Sequence, residues 1–187
     1  TPSPWTEPFW LATAQHRLGP LALTGGLALS FAGIGLFVAT IGYGLGLTGE
    51  LFRAIGGEIA NTISRAKSQE APRELHANAT VLEHTWHRIG SVTRALYTTG
   101  DLNKTLANAS LYLEAVGHVV VAWIWLEQAL VAAQHLPQAG DDDKNFYHGK
   151  LQACRYFFNW ELPKAEQQLA LLATVDTTTL DMQDAWF

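Results

Sequence analysis

The run DLNKTLANASLYLEAVGHVVVAWIWLEQALVAAQ, from Asp101 to Gln134, sets the architecture to expect of this chain. Apolar residues recur at Leu102, Leu106, Ala109, Leu113, Val116, Val120 and Trp123. That i, i+3, i+4 spacing lays one continuous stripe along a single long helix. Between Glu114 and Glu127 the stripe widens until apolar side chains point in nearly every direction, with His118 the only clearly polar one among them. Such a middle is expected to be buried all round. Its uncharged window falls short of the ~20 residues that a bilayer crossing requires, so the expected surroundings are protein.

Upstream, Arg73 to Thr98 carries Leu75, Ala79, Leu82, Trp86, Ile89, Val92 and Leu96 at helical spacing. Thr99-Gly100-Asp101 then supplies a C-terminal glycine and an N-cap for the next helix, so the two should form a hairpin. An earlier helix starts near Gly49, with Leu51, Phe52, Ile55, Ile59 and Ile63 on one side and Arg53, Glu58 and Asn61 on the other. It should stop near Ser68, because Pro72 disfavours helical backbone in the residue before it. Downstream, LPQAGDDDKN reads as a solvated acidic loop broken by Pro137 and Gly140. The last long helix is expected from about Asn145, with Pro163 marking either a kink or a new first turn. Trp186 and Phe187 at the terminus should dock if they find a groove. The sum is an all-α, up-down bundle of about four long helices.

Ahead of the bundle, residues 1–17 form an irregular Pro-rich arm, since three prolines within TPSPWTEP deny regular hydrogen bonding. Residues 18–49 follow as an uncharged, Gly-rich hydrophobic segment, readable as a membrane span or as a buried helix and loop. The remaining residues, 50–187, make up the helical domain. Gly42-Tyr43-Gly44-Leu45-Gly46 lacks the strand, lysine and acidic partners of a phosphate-binding loop, and a packing or turn role is the expectation there. Because the first residue is Thr, the chain is expected to be processed, trimmed or part of something longer.

A net charge of -5 without a basic cluster argues against a nucleic-acid surface. The single Cys154 excludes an internal disulfide and leans toward the cytoplasm, with membrane association through 18–49 as the alternative. Glu83, His84 and His87 crowd one turn, but no third metal ligand is fixed by spacing, so a solvated polar face is expected and no metal. His118 among valines and tryptophans reads as a neutral imidazole held by one hydrogen bond. Glu114 and Glu127 lie ~20 Å apart along a helix axis, too far to act together on one bond. Cys154 has no motif that would mark it as a nucleophile. No catalytic residue is therefore assigned.

Two stretches carry a resemblance. Leu106 to Ala133 and Phe146 to Phe187 resemble the additional C-terminal domain of the larger acyl-CoA dehydrogenases, in particular the subgroup of 3-methylmercaptopropionyl-CoA dehydrogenase. The features that match are Ala107 to Leu113, Gly117-His118, Trp123, Trp125-Leu126, Gly149-Lys150-Leu151, Tyr156-Phe157-Phe158, Glu161-Leu162-Pro163 and Asp184 to Phe187. The similarity extends over about Leu45 to Phe187 and is weaker before Leu102. In that family FAD takes a hydride from the β-carbon of an acyl-CoA while a glutamate takes the α-proton. The resemblance places that glutamate just upstream of the matched region, where this chain has its Gly-rich stretch, so no catalytic residue carries over. What it implies is an accessory domain that does not itself hold FAD and that partners catalytic dehydrogenase domains or subunits in a homo- or hetero-oligomer. It also implies that helix 73–98 and the Tyr156 to Trp160 aromatics pack on opposite sides of Ala115 to Leu126. Two competing readings are a membrane-anchored helical interaction protein and a metal protein built on His84 and His87.

Overall fold

The computed structural model describes residues 47–186. The arm at 1–17 and residues 18–46 of the uncharged segment lie outside the described residues, and with them the question of a membrane span. The chain divides into two compact units, Thr1–Ala54 and Ile55–Phe187, and the packing below concerns the second.

The described residues are helical, without strands. The elements are α1 (Leu47–Ala66), α2 (Arg73–Thr98), the short α3 (Leu102–Leu106), α4 (Ala109–His135), α5 (Asp141–Tyr156), α6 (Leu162–Ala173) and the short α7 (Thr178–Asp181). A wide π-helical turn, Phe157–Glu161, joins α5 to α6, and the Leu162 amide donates to the Phe157 carbonyl five residues back. Hence α5 and α6 run on as one rod, and the bundle has four rods. Cross-helix pairs fix their directions. Thr93 meets Tyr112 and Lys150 meets Gln128, so α4 runs antiparallel to both α2 and α5. Thr62 meets Glu127 and Trp123, which sets α1 beside α4 in the same direction. The up-down bundle expected from the periodicity is thus what forms, with α4 packed against α2, α5 and α6.

On α2 the expected Leu75, Ala79, Leu82, Ile89, Val92 and Leu96 are all inside, whereas Trp86 of the expected stripe is only half-buried and Thr85 takes the buried place beside it. Gly100 at φ 64° ends the hairpin turn, and the Asp101 carboxylate caps α3 by accepting from the Asn103 and Lys104 amides. The expected single helix from Asp101 to Gln134 does not form. It breaks at Asn108, whose backbone leaves the helical region (φ -119°, ψ 35°) while its side-chain amide donates to the Asp176 carbonyl at 2.8 Å. A tie to the C-terminal segment outweighs one continued turn of helix there.

The inner face of α4 also differs from expectation. Ala115, Val119, Ala122, Leu126, Ala129 and Ala132 are buried, whereas Leu102, Leu106 and Leu113 of the predicted stripe are exposed. Burial all round is likewise overturned, because Val121, Ile124 and Val131 face outward. A helix apolar on every side gives periodicity nothing to choose between. Packing chooses the small side chains, which let neighbouring helix axes come close. By length and composition α4 is the one helix among the described residues that could cross a membrane, and it sits at the centre of the bundle.

Two smaller corrections fall downstream. The acidic loop is shorter than expected, since α5 begins at Asp141 and takes Asp141 and Asp143 into its first turn. Negative charge at a helix N-terminus is favourable, which is why the acids end up helical. Pro163 occupies the first turn of α6, the second of the two roles expected of it. Among the aromatics expected against α4, Phe158 is buried and Phe157 half-buried, but Tyr156 and Trp160 stack on each other in solvent. Trp186 is exposed.

Candidate functional site

The polar residues that the fold brings together are not the ones spacing singled out. Thr62 is buried on α1, one turn before Arg65. Its hydroxyl lies 2.5 Å from Glu127 Oε1 on α4 and accepts from the Trp123 indole at 2.7 Å. A hydroxyl has one proton, and a carboxylate is a stronger acceptor than the Glu58 carbonyl 3.0 Å away, so the proton points across the helix interface. Arg65 Nη1 completes the cluster at 2.8 and 3.0 Å from the two Glu127 oxygens.

The same device recurs between α2 and α6. Thr85, fully buried, donates to Glu166 Oε1 at 2.9 Å, and Arg88 Nη1 donates to Glu166 Oε2 at 2.7 Å. In each clasp a Thr and an Arg three apart on one helix seize a single carboxylate on another. A third bridge joins α2 to α5, where Arg155 Nε and Nη2 grip both oxygens of Glu74. The arginine's hydrogen bonds hold that carboxyl below the usual carboxylate range.

The sequence candidates end up apart. Glu83 pairs with Lys67 at 2.6 Å, and that ammonium holds its carboxyl low. His84 and His87 are exposed on the outside of α2, and no cluster of three metal-binding side chains exists among the described residues. The metal reading therefore has no donor set there. His118 is half-buried, its Nδ1 2.9 Å from the Glu114 carbonyl, so Nδ1 carries the proton in that bond. Its ring leans on Phe157, with centroids 6.4 Å apart. Glu114 is exposed, while Glu127 is locked into the clasp, so the two acids share no substrate position.

Cys154 is buried with Asn78 Nδ2 3.6 Å from its sulfur, and burial pushes the thiol up to about 12. At neutral pH such a thiol stays protonated and inert.

An open groove of about 500 Å³ runs between α2 and α6, lined by Thr80, Val81, His84, Thr85, Leu162, Pro163 and Glu166. Its walls are mainly apolar, and its carboxylate is already engaged by Thr85 and Arg88. The hydroxyls that do sit beside carboxylates, those of Thr62 and Thr85, are held in hydrogen bonds between helices. The polar chemistry here holds helices together.

Thr62, Thr85, Arg65, Arg88 and Glu166 escaped sequence reasoning. The available signal was the repeated Thr-x-x-Arg spacing at 62/65 and 85/88, which puts both groups on one helix face.

The family model for acetyl-CoA dehydrogenase C-terminal-like domains matches residues 55–183. A butyryl-CoA dehydrogenase of Syntrophomonas wolfei subsp. wolfei (strain DSM 2245B / Goettingen) is 26% identical over 137 residues, 71% of this chain and 22% of the relative. A second butyryl-CoA dehydrogenase of that organism is 31% identical over 81 residues, 42% of this chain and 13% of the relative. The broad-specificity linear acyl-CoA dehydrogenase FadE5 of Mycobacterium tuberculosis (strain ATCC 25618 / H37Rv) is 29% identical over 99 residues, 52% and 16% of the respective lengths. The aligned part is thus about a fifth or less of each relative. No solved structure matches the chain significantly.

Proposed function

Because the chain belongs to the family of acetyl-CoA dehydrogenase C-terminal-like domains, we propose that it is the accessory domain of an FAD-dependent acyl-CoA dehydrogenase system, incomplete as a catalyst alone. The observation that carries this reading is a match spanning a whole helical bundle whose buried and half-buried polar groups are spent on interhelical clasps. A bundle so braced is suited to stiffening a larger enzyme.

The reaction in such a system is α,β-dehydrogenation of an acyl-CoA thioester. In this reading FAD sits on the partner domains. What supports this is that the groove between α2 and α6 is mainly apolar and that Arg88 beside it is already engaged by Glu166, so it is not free to hold a pyrophosphate. No catalytic step is therefore assigned to these residues, and flavin and thioester belong on the partner domains. A linear acyl chain is the substrate class favoured by the relatives' names, with the methylmercapto-acyl chain suggested by sequence resemblance as the alternative. The protonated, buried Cys154 suits a reducing compartment such as the cytoplasm.

To test this, the full chain would be mixed with the Syntrophomonas butyryl-CoA dehydrogenase lacking its own C-terminal domain. Co-elution and a gain in flavin-dependent oxidation of butyryl-CoA are expected. Independent elution, with neither activity nor thermal stability of the truncated enzyme changed, would sink the proposal.

A further inference from the structure

The outward face of α4 carries a row of exposed apolar residues, interrupted by Gln128 one turn beyond Ile124. Leu113, Val121, Ile124 and Val131 are exposed by 60, 39, 45 and 47%, and Gly117 lies in the same row with no atom within 4 Å of where its Cβ would be. Helical spacing puts these five residues on one stripe opposite the buried Ala115, Val119, Ala122 and Leu126. Single exposed aliphatics need no explanation, but a row of them on the most apolar helix marks a covered surface.

Charge shows what covers it. Glu114 stands at one end of the stripe, exposed, with Lys164 near enough to act on it but with no salt bridge between them among the described residues. Toward the other end Lys150 reaches over from α5, its Nζ 2.9 Å from Gln128 Oε1 and over the rings of Trp125 and Phe146. No described carboxylate pairs with it. Both charges flank the stripe on the same side, the side of the α5–α6 rod. Phe157 of that rod touches His118, and Lys164 senses Glu114.

A two-fold axis perpendicular to α4 and lying in the contact plane reverses the helix direction and keeps each flank on its own side. It therefore carries Glu114 of one copy toward Lys150 of the other. The axial midpoint between Glu114 and the Lys150 head group falls near Val121. The midpoint between Leu113 and Val131 falls at Ala122. Charge and apolar residues thus place the axis independently at the same level.

We infer that α4 is a self-docking surface on which a second copy of this chain packs antiparallel, about an axis near Val121, with Glu114 and Lys150 paired across the interface in both directions. Isologous contacts of this kind are self-complementary and close on themselves, giving a dimer and not a filament. The exposed Gly117 allows the two helices to approach closely beside the axis. This inference holds whichever catalytic domain the chain serves.

The test is the mass of the full chain by sedimentation over a wide concentration range. A dimer is expected. Val121→Glu should raise the dissociation constant about a hundredfold, since it places two like charges at the axis. Val121 is already partly exposed, so far-UV circular dichroism should barely change, nor should the urea midpoint when both proteins are dilute enough to be monomeric. Glu114→Lys alone should weaken the dimer about tenfold, and adding Lys150→Glu should restore it. A monomeric wild type, a dimer indifferent to both changes, or a charge swap without rescue would each overturn the antiparallel pairing. So would loss of the dimer on addition of the truncated dehydrogenase, which would assign this face to the catalytic domains.

Discussion

Thr85 on α2 and Thr62 on α1 are the two buried polar residues among those described, and each turns its hydroxyl onto a glutamate of another helix with an arginine one turn further along. Removing the Thr85 hydroxyl strips Glu166 of one partner while Arg88 remains. Thr85→Val, nearly isosteric, is expected to cost about 1–2 kcal/mol in urea unfolding, toward the low end for a hydrogen bond to a charged group because Glu166 stays partly in solvent. An unchanged midpoint would mean that Arg88 and solvent satisfy Glu166 unaided.

Thr62 serves two partners, accepting from Trp123 and donating to Glu127. Thr62→Val should therefore cost more than Thr85→Val, about 2–3 kcal/mol, because the half-buried Trp123 indole also loses its acceptor. Thr62→Ser keeps the hydroxyl and should recover most of the loss. If Ser and Val behave alike in urea unfolding, methyl packing and not the hydrogen bonds sets the cost.

Val175, just past the end of α6, has φ 52°, a region that β-branched residues avoid. Val175→Gly should stabilise by roughly 1 kcal/mol. Gly57 has open space around its would-be Cβ, so Gly57→Ala should gain ~0.5–1 kcal/mol. At the neighbouring Gly56 a Cβ would sit 3.2 Å from the Trp86 ring, and Gly56→Ala should forfeit that gain. Thermal midpoints of the three variants check the ordering.

Burial raises the Cys154 thiol from 9.0 to about 12. The folded state thus keeps the proton where the unfolded state releases it. Stability from this group is fully present below pH ~9 and is lost as the pH rises toward about 12. Iodoacetamide at pH 8 should leave the native chain unlabelled and modify it readily in urea. Native labelling at the unfolded rate would contradict the buried thiol.

How much of this was readable beforehand depended on contrast along the helix. On α2, polar residues interrupt the apolar ones every turn, so the inner face could be named apart from Thr85, whose buried place was expected of Trp86, and Pro72 and Gly100 marked its limits. Helix α4 offers no such contrast, and the alanines that line its inner face are too small to stand out from the valines and leucines outside. The break at Asn108 depends on a carbonyl in the C-terminal segment, Asp176, which local pattern cannot supply. The clasps were hidden for a related reason. Thr62 and Thr85 read as neutral helix positions, and their acceptors lie 65 and 81 residues away.

The wide turn at Phe157–Glu161 bears on chain-length change. A π-turn is what an α-helix becomes when it absorbs one surplus residue without rotating the segments on either side. Here it lets Cys154, Phe158 and Leu162, spaced by four, all keep to the core before α6 resumes with Ala165 and Leu169. Deleting the exposed Asn159 should therefore regularise the rod into continuous α-helix and leave Cys154 and Leu169 facing inward, with a small change in thermal midpoint. The same deletion at exposed Gln152, within regular α5, would turn every earlier residue of that helix by about 100° and should unfold the bundle. Of the two sites, only the wide turn holds a residue to spare, and length variation among related chains is expected to gather there.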